Sequence, residues 1–317
     1  MVSEFQVGQW CKEHGFSADE VICLGGQASG RTYFRAKNDT ETRVIMHSPI
    51  EDKPAEIGGD TGGDELPFRV VRYWLESRGI PVPKEFAWDA QSRLLMLEDL
   101  GDLTLEDALV GGSAEQIYGE AVDLLAHLHE IARDADADDL PGLAKCFDAT
   151  FLRWELDHFR EYLIEARGRK IQPEIRSKLD SILQRLAEEV ASIPQGFVHR
   201  DYQSRNLMVA ERGLVVIDFQ DALRGPLLYD LVALLRDSYV EVPEPLLSQL
   251  IERYRGQRSA MPDAKTFRRW FDVQALQRKL KDAGRFVYID QVRGNPDFLK
   301  HIPLSLAYVD QAFDRLP

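Results

Sequence analysis

The chain has 317 residues, enough for about two domains at roughly 150 residues each. Hydrophobic residues make up 44%, which supplies a core and excludes wholesale disorder, while a formal net charge of -14 makes nucleic acid and anionic membrane poor default partners. No apolar run approaches the ~18–20 residues of a membrane span. Residues 1–16 lack the basic-then-apolar layout of a secretory signal. Cys11, Cys23 and Cys146 are odd in number and widely spaced, which speaks against a disulfide framework or zinc site and for a reducing cytoplasm. The composition therefore predicts a soluble cytoplasmic globular protein, an enzyme before any other class, and no obligate protein partner is evident in the sequence.

Residues 21–24 read as a strand running into a glycine loop, Gly25-Gly26-Gln27-Ala28-Ser29-Gly30. A second strand over 31–36, a Lys37-Asn38-Asp39 turn and a third strand over 42–46 complete an antiparallel hairpin sheet with a long glycine-bearing bend. Residues 51–67, rich in glycine, proline and acids, read as a mobile loop. A helix is predicted over 68–78, where Val70, Val71, Trp74 and Leu75 share a face and Gly79 and Pro81 stop it. Residues 94–97 read as a buried strand, and the polar Glu98-Asp99-Leu100-Gly101-Asp102 follows. We place the boundary there, with an N-terminal lobe over 1–97, a hinge over 98–102 and a C-terminal lobe over 103–317.

Beyond the hinge the pattern turns helical. Ile117, Ala121, Leu124, Leu125 and Leu128 repeat at the 3.6 period, as do Ile175, Leu179, Ile182, Leu183, Leu186 and Val190, with another amphipathic stretch over 151–164. Short strands are predicted to interrupt the helices only at 197–199, 207–209 and 214–219, and helices resume from Leu227. The expected fold class is α+β: a small antiparallel sheet lobe, then a mostly helical lobe with one small hairpin.

That hairpin carries the chemistry. It reads His199-Arg200-Asp201-Tyr202-Gln203-Ser204-Arg205-Asn206, two short strands, then Ile217-Asp218-Phe219-Gln220-Asp221. A hairpin returns the chain antiparallel, so Asp201, Asn206 and Asp218 are expected to converge as oxygen ligands suited to Mg²⁺ shared with phosphate. The spacing H-R-D-x-x-x-x-N with an Asp after the following strand is the catalytic-loop pattern of protein kinases and their relatives. A fortuitous polar turn is the competing reading.

Residues 20–310 resemble the aminoglycoside-phosphotransferase-type small-molecule kinases, a branch of the protein-kinase-like fold. Supporting segments are Leu95-Met96-Leu97-Glu98-Asp99-Leu100-Gly101, similar to the hinge, and Leu124-Leu125-Ala126-His127-Leu128-His129, similar to the helix before the catalytic loop. Within the family, the loop, Gly225-Pro226, the 229–237 and 152–156 stretches and Gln277-Arg278-Lys279-Leu280-Lys281-Asp282-Ala283-Gly284 are similar to bacterial anomeric kinases of N-acetylmuramate and N-acetylglucosamine, which serve cell-wall recycling.

The resemblance implies a bilobal fold, the cofactors ATP and Mg²⁺, and a small-molecule sugar substrate. It implies Asp201 as catalytic base and Asn206 and Asp218 as metal ligands. Gly25, Gly26 and Gly30 would cover the nucleotide phosphates, though alone they read equally as an exposed turn, and Glu98 and Leu100 would border the nucleotide. His199 is expected to pack under the loop, Arg200 to make a local charge contact and Asp230 to brace the loop backbone. For the acceptor, Glu155 and Arg278 are candidates against a solvated-face or ion-pair reading, while Phe151, Trp154 and Phe159 read as core. One departure stands out. The third strand should end in a lysine for the α- and β-phosphates, but Met46 or His47 stands there. Arg31, Arg35, Arg43 or Lys53 could substitute, and Glu65 is a bare candidate for the helix glutamate. The rival readings are a kinase of aminoglycosides or other hydroxyl compounds, suited by the acidic charge to a polycationic acceptor, and a catalytically idle nucleotide-binding pseudokinase.

Overall fold

Ser3 and Gln6 cap each other's backbone at the start of helix α1 (Glu4–Glu13), whose Val7, Trp10 and Cys11 are buried. Reading the N-terminal third as strands overlooks this helix, although the capping pair and the apolar spacing were its signals. The structure, a computed structural model, describes residues 2–26, 30–49, 66–168 and 170–316. The 51–65 part of the expected loop, with Lys53 and Glu65, and residues 27–29 of the glycine loop lie outside them. The chain forms two compact units: Met1–Leu103 with Met208–Gln220, and Thr104–Leu207 with Asp221–Pro317.

In the first unit, strands β1 (Glu20–Gly26), β2 (Thr32–Lys37) and β3 (Thr42–His47), helix α2 (Pro67–Ser77), and strands β4 (Glu85–Asp89) and β5 (Leu94–Glu98) follow in order. The antiparallel sheet runs β1-β2-β3-β5-β4. Strand β4 was not predicted, because Phe86-Ala87-Trp88 alone is too short a run of strand formers. One face of the sheet, through Phe34, Ala36, Ile45 and Met96, packs with Val7, Trp10 and Cys11 of α1. Burial pushes the Cys11 thiol up to about 11, so it behaves as a small hydrophobe. Side chains alternate along a strand, and the opposite face carries Tyr33, Arg35, Val44 and Met46.

The second unit begins with α3 (Leu105–Ala108), α4 (Ala114–Ile131) and α5 (Ala149–His158), which continues into a π-helical stretch, Phe159–Glu165. Helix α6 (Pro173–Ala191) and strand β6 (Gln195–Val198) lead to a 3₁₀ turn over Ser204–Asn206. The ribbon of β7 (Leu207–Ala210) and β8 (Gly213–Val216) then groups with the first unit, apart from its opening residue. Strand β9 (Leu223–Pro226), α7 (Tyr229–Leu235), α8 (Glu244–Gly256), α9 (Ala264–Arg293) and α10 (Ile302–Arg315) complete the chain. Strand β9 corrects the expectation that strands occur only at three places: it pairs antiparallel with β6. Its Gly-Pro composition hid it. A Cβ on Gly225 would stand 2.7 Å from the Phe147 ring, so glycine is what lets β9 lie against this core. Phe147 belongs to a hydrophobic core of the unit with Leu152, Leu156, Leu183, Tyr229 and Leu276. Among the described residues no helix is long and apolar enough to cross a membrane.

Candidate active site

The loop after β6 is shaped from below by one carboxylate. Asp230, near the start of α7 and fully buried, accepts the backbone N–H groups of His199 at 2.7 Å and Arg200 at 3.0 Å. It also meets His129 Nε2 at 3.3 Å, and His129 Nδ1 lies 2.6 Å from the Tyr254 hydroxyl. Burial lowers the His129 pKa despite this carboxylate, so the imidazole is neutral. Arg200 has φ 80, the left-handed region, which costs a non-glycine residue about 1–2 kcal/mol. The two bonds to Asp230 hold it there. His199 is completely buried, and its Nδ1 accepts the Asp201 N–H at 3.2 Å, as a loop scaffold would. The Arg200 guanidinium lies over the Phe147 and Phe151 rings, at 5.4 and 5.7 Å, rather than only beside a charge.

These contacts present the Asp201 side chain with 46% of its surface open. Arg278 on α9 stands 3.6 Å from its carboxylate and donates to the Arg200 carbonyl at 2.9 Å. Burial in the surrounding protein pushes the Asp201 pKa up, but the charges of Arg278, Lys281 and Arg200 outweigh it and hold the carboxyl below its usual range. Asn206 donates its amide N–H to the Asp201 carbonyl at 2.9 Å, which leaves Oδ1 as the atom it can offer a cation. Ser204 fixes the turn by donating its N–H and hydroxyl to Asp237 at 2.8 and 2.6 Å. Sequence reasoning missed Asp237, whose only signal was its place at the end of the buried helix α7.

Glu155 is not on a solvated face. It is 3% exposed, accepts from the Tyr229 hydroxyl at 3.1 Å and from Gln277 at 3.0 Å, and so has protein partners on both oxygens. Arg278 is buried, with its guanidinium 4.6 Å from the Tyr229 ring centre. Burial opposes its charge, yet Tyr229, Asp282, Asp201 and Glu155 raise its pKa further, so it remains a cation. Phe151 and Phe159 pack on the core as predicted; Trp154 is half-buried and meets the Phe151 and His158 rings edge-on.

The first unit contains a cavity of about 290 Å³ between Leu24 and Gly25 of β1, Tyr33 and Arg35, Val44, the Leu97–Asp102 segment, Met208 of β7, and Ile217 and Asp218 after the ribbon. Glu98 and Leu100 are therefore both at its wall. The Glu98 carboxylate, however, is engaged by Arg212 at 2.8 Å and the Lys84 N–H at 3.1 Å. Burial pushes its pKa up, but these partners bring it below the ordinary value. Gly25 has φ 99 and open space where a Cβ would be, so backbone conformation alone calls for glycine there; Gly30 has φ 73. Gly26 pairs with Thr32 at the end of β1. Asp218 has φ 61, and its Oδ1 accepts from Gln220 at 2.9 Å and meets Arg31 at 3.5 Å. Among the described residues no three His, Cys, Asp or Glu side chains cluster as a metal cage. Asp218 in the first unit offers a carboxylate and Asn206 in the second an amide oxygen, each the kind of hard oxygen donor that Mg²⁺ takes.

A five-stranded sheet with a glycine-bearing β1–β2 bend, and a His-Arg-Asp loop built on a helical unit, define the α+β class of protein-kinase-like phosphotransferases. The crystal structure of spectinomycin phosphotransferase in complex with ADP and spectinomycin shares this fold at a TM-score of 0.65 and 13% identity, covering 99% of each chain. The model of the phosphotransferase enzyme family matches residues 20–270, and the chain belongs to that family. Among its relatives, the N-acetylmuramate/N-acetylglucosamine kinase of Pseudomonas aeruginosa is 33% identical over 94% of this chain and 85% of its own length. The kinase of the same name from Neisseria meningitidis serogroup B is 30% identical over 92% and 84%.

Proposed function

We propose that this phosphotransferase is an ATP- and Mg²⁺-dependent kinase acting on the anomeric hydroxyl of N-acetylmuramate or N-acetylglucosamine. The observation that carries the reading is the 33% and 30% identity, along nearly the whole chain, to two enzymes named as kinases of these sugars. In this reading the acceptor hydroxyl gives its proton to Asp201 as its oxygen bonds to the γ-phosphorus. The bond from that phosphorus to the β–γ bridging oxygen breaks, and ADP leaves with the electron pair. An anomeric hydroxyl is more acidic than an ordinary alcohol, so an ionised carboxylate with a depressed pKa suffices as a late proton acceptor. Mg²⁺, when bound, neutralises charge on the β- and γ-phosphates, and Asp218 and Asn206 Oδ1 are its proposed ligands. Gly25, Gly26 and Gly30 are the proposed phosphate cover, and Glu98 and Leu100 the proposed border of the base. On the acceptor side, Arg278 beside Asp201 is the proposed contact, while Glu155, with both oxygens taken by Tyr229 and Gln277, holds these buried side chains in place.

The charges around Asp201 bear on the rival acceptor. Arg200, Arg278 and Lys281 all act on its carboxylate, a setting that repels a polycationic aminoglycoside and suits a neutral or carboxylated sugar. The test is to incubate purified protein with ATP and Mg²⁺ and either sugar, an aminoglycoside or choline, following acceptor-dependent ADP release and loss of the sugar's reducing end. Phosphorylation at the anomeric oxygen abolishes the reducing end; phosphorylation elsewhere leaves it. ADP release with the aminoglycoside alone overturns the acceptor assignment, and none with any acceptor favours the idle nucleotide-binding reading.

A further inference from the structure

We propose that Arg31 supplies the positive charge to the nucleotide's phosphate chain that strand β3 lacks. The inference rests on the nucleotide reading above. Residues Val44 and Tyr33 face the cavity of the first unit. By strand alternation Met46 shares the face of Val44, and His47 points to the other side with Ile45. The residue presented toward the cavity where β3 ends is thus a neutral thioether. Cross-strand, Tyr33 pairs with Met46 and Thr32 with His47. Arg31, two residues before Tyr33, continues the cavity-facing row one step beyond Met46.

Of the other cations named by the sequence, Lys53 lies outside the described residues, and Arg35 and Arg43 are already held by carboxylates. Arg35 is held by Asp99 at 2.7 Å and Asp102 at 2.8 Å. Arg43 pairs with Glu41 at 2.5 Å and stacks on Phe86 at 4.0 Å. Arg31 is 6% exposed, and among the described residues its charged group has one partner, the Asp218 carboxylate, through a single long contact of 3.5 Å. A guanidinium offers five N–H donors in a planar fork matched to phosphate oxygens. One loose contact leaves most of that fork to a ligand. Asp218 itself lines the cavity, and Arg31 lies one contact beyond it, the side on which a polyphosphate leaving the base pocket would meet the cation. The residue directly before it is Gly30, with φ 73, so the glycine bend delivers the guanidinium to this place.

The experiment measures equilibrium affinity for ATP, ADP and adenosine by calorimetry on the full chain, for wild type, Arg31→Gln, Arg31→Lys and, as a control, Arg43→Gln. Loss of a charge-assisted phosphate contact is expected to weaken ATP and ADP by roughly 10- to 100-fold in Arg31→Gln. Adenosine affinity stays level in that variant, and Arg43→Gln leaves all three unchanged. Arg31→Lys keeps the charge and is expected to bind ATP more tightly than Arg31→Gln at equal adenosine affinity. Equal ATP affinity in wild type and Arg31→Gln, or equal loss in the Lys and Gln variants, overturns the role of Arg31 while leaving the nucleotide reading intact. Wild type that binds neither ATP nor adenosine overturns both.

Discussion

The Asp230 carboxylate holds the backbone N–H of Arg200 at 3.0 Å while Arg200 sits at φ 80. A left-handed arginine is stable only where its surroundings over-determine it, and here a buried acid accepts from it, from His199 and from His129. Asp230→Asn replaces one accepting oxygen with an NH₂ group facing donors. It is expected to lower stability by about 1–3 kcal/mol, read as a drop in the urea midpoint, and to lower turnover. ATP affinity is expected to survive, because the cavity wall lies in the first unit. Turnover equal to wild type at matched folded fraction would show that the loop does not need this brace.

Asp201→Ala separates chemistry from binding. A positioned general base contributes about 10²–10⁴-fold, so turnover with the sugar acceptor is expected to fall by that range while calorimetric ATP affinity stays within about twofold. Unchanged turnover would remove Asp201 from the catalytic role.

The sign of the Asp201 shift predicts a pH profile. Burial raises its pKa, and Arg278 is the largest of the charges that reverse this. A base must be ionised to act, so in wild type the acid limb due to Asp201 lies below the ordinary carboxylate value of about 4. Arg278→Met removes the leading opposing charge and leaves burial less opposed, so the acid limb of kcat/KM moves to higher pH. Stability follows the same sign. A carboxyl with a depressed folded-state pKa contributes fully above its unfolded value and loses that contribution as pH falls through the folded one. A profile unmoved in Arg278→Met would contradict this electrostatic account. A higher KM at unchanged kcat and profile would instead assign Arg278 to acceptor binding alone.

What the sequence revealed and hid follows from the range of the forces involved. Strands β1 to β3 were legible because alternation and turn residues act locally, and the His199–Asn206 loop because its residue types sit at fixed spacing. Helix α1 was within reach through its capping pair. Strand β9 was not, since Leu223-Arg224-Gly225-Pro226 is a strand only by virtue of β6 and the Phe147 ring beside it. Glu155 could not be read as buried either: on a helix with mixed polarity, only the distant Tyr229 and Gln277 decide whether a carboxylate goes inward. The choice between Met46 and His47 needed the sheet's two faces, one covered by α1 and the other bordering the cavity.

Gly284 offers a further case of a requirement set from far along the chain. It lies in the middle of α9, where alanine would ordinarily gain about 1 kcal/mol. A Cβ there would land on the His158 carbonyl and the Phe159 nitrogen, at the junction where α5 passes into its π-helical stretch. Both atoms are backbone, so no rotamer change relieves the clash, and α9 must move away from α5. Overpacking of this kind costs about 1–3 kcal/mol beyond the propensity gain it cancels. Gly284→Ala is therefore expected to lower the unfolding midpoint. Because the same helix carries Arg278 toward Asp201, turnover should fall in the folded fraction too. A variant as stable as wild type would mean that α9 and α5 are spaced more widely than this contact implies, and an active but destabilised one would uncouple the packing of α9 from the placement of Arg278.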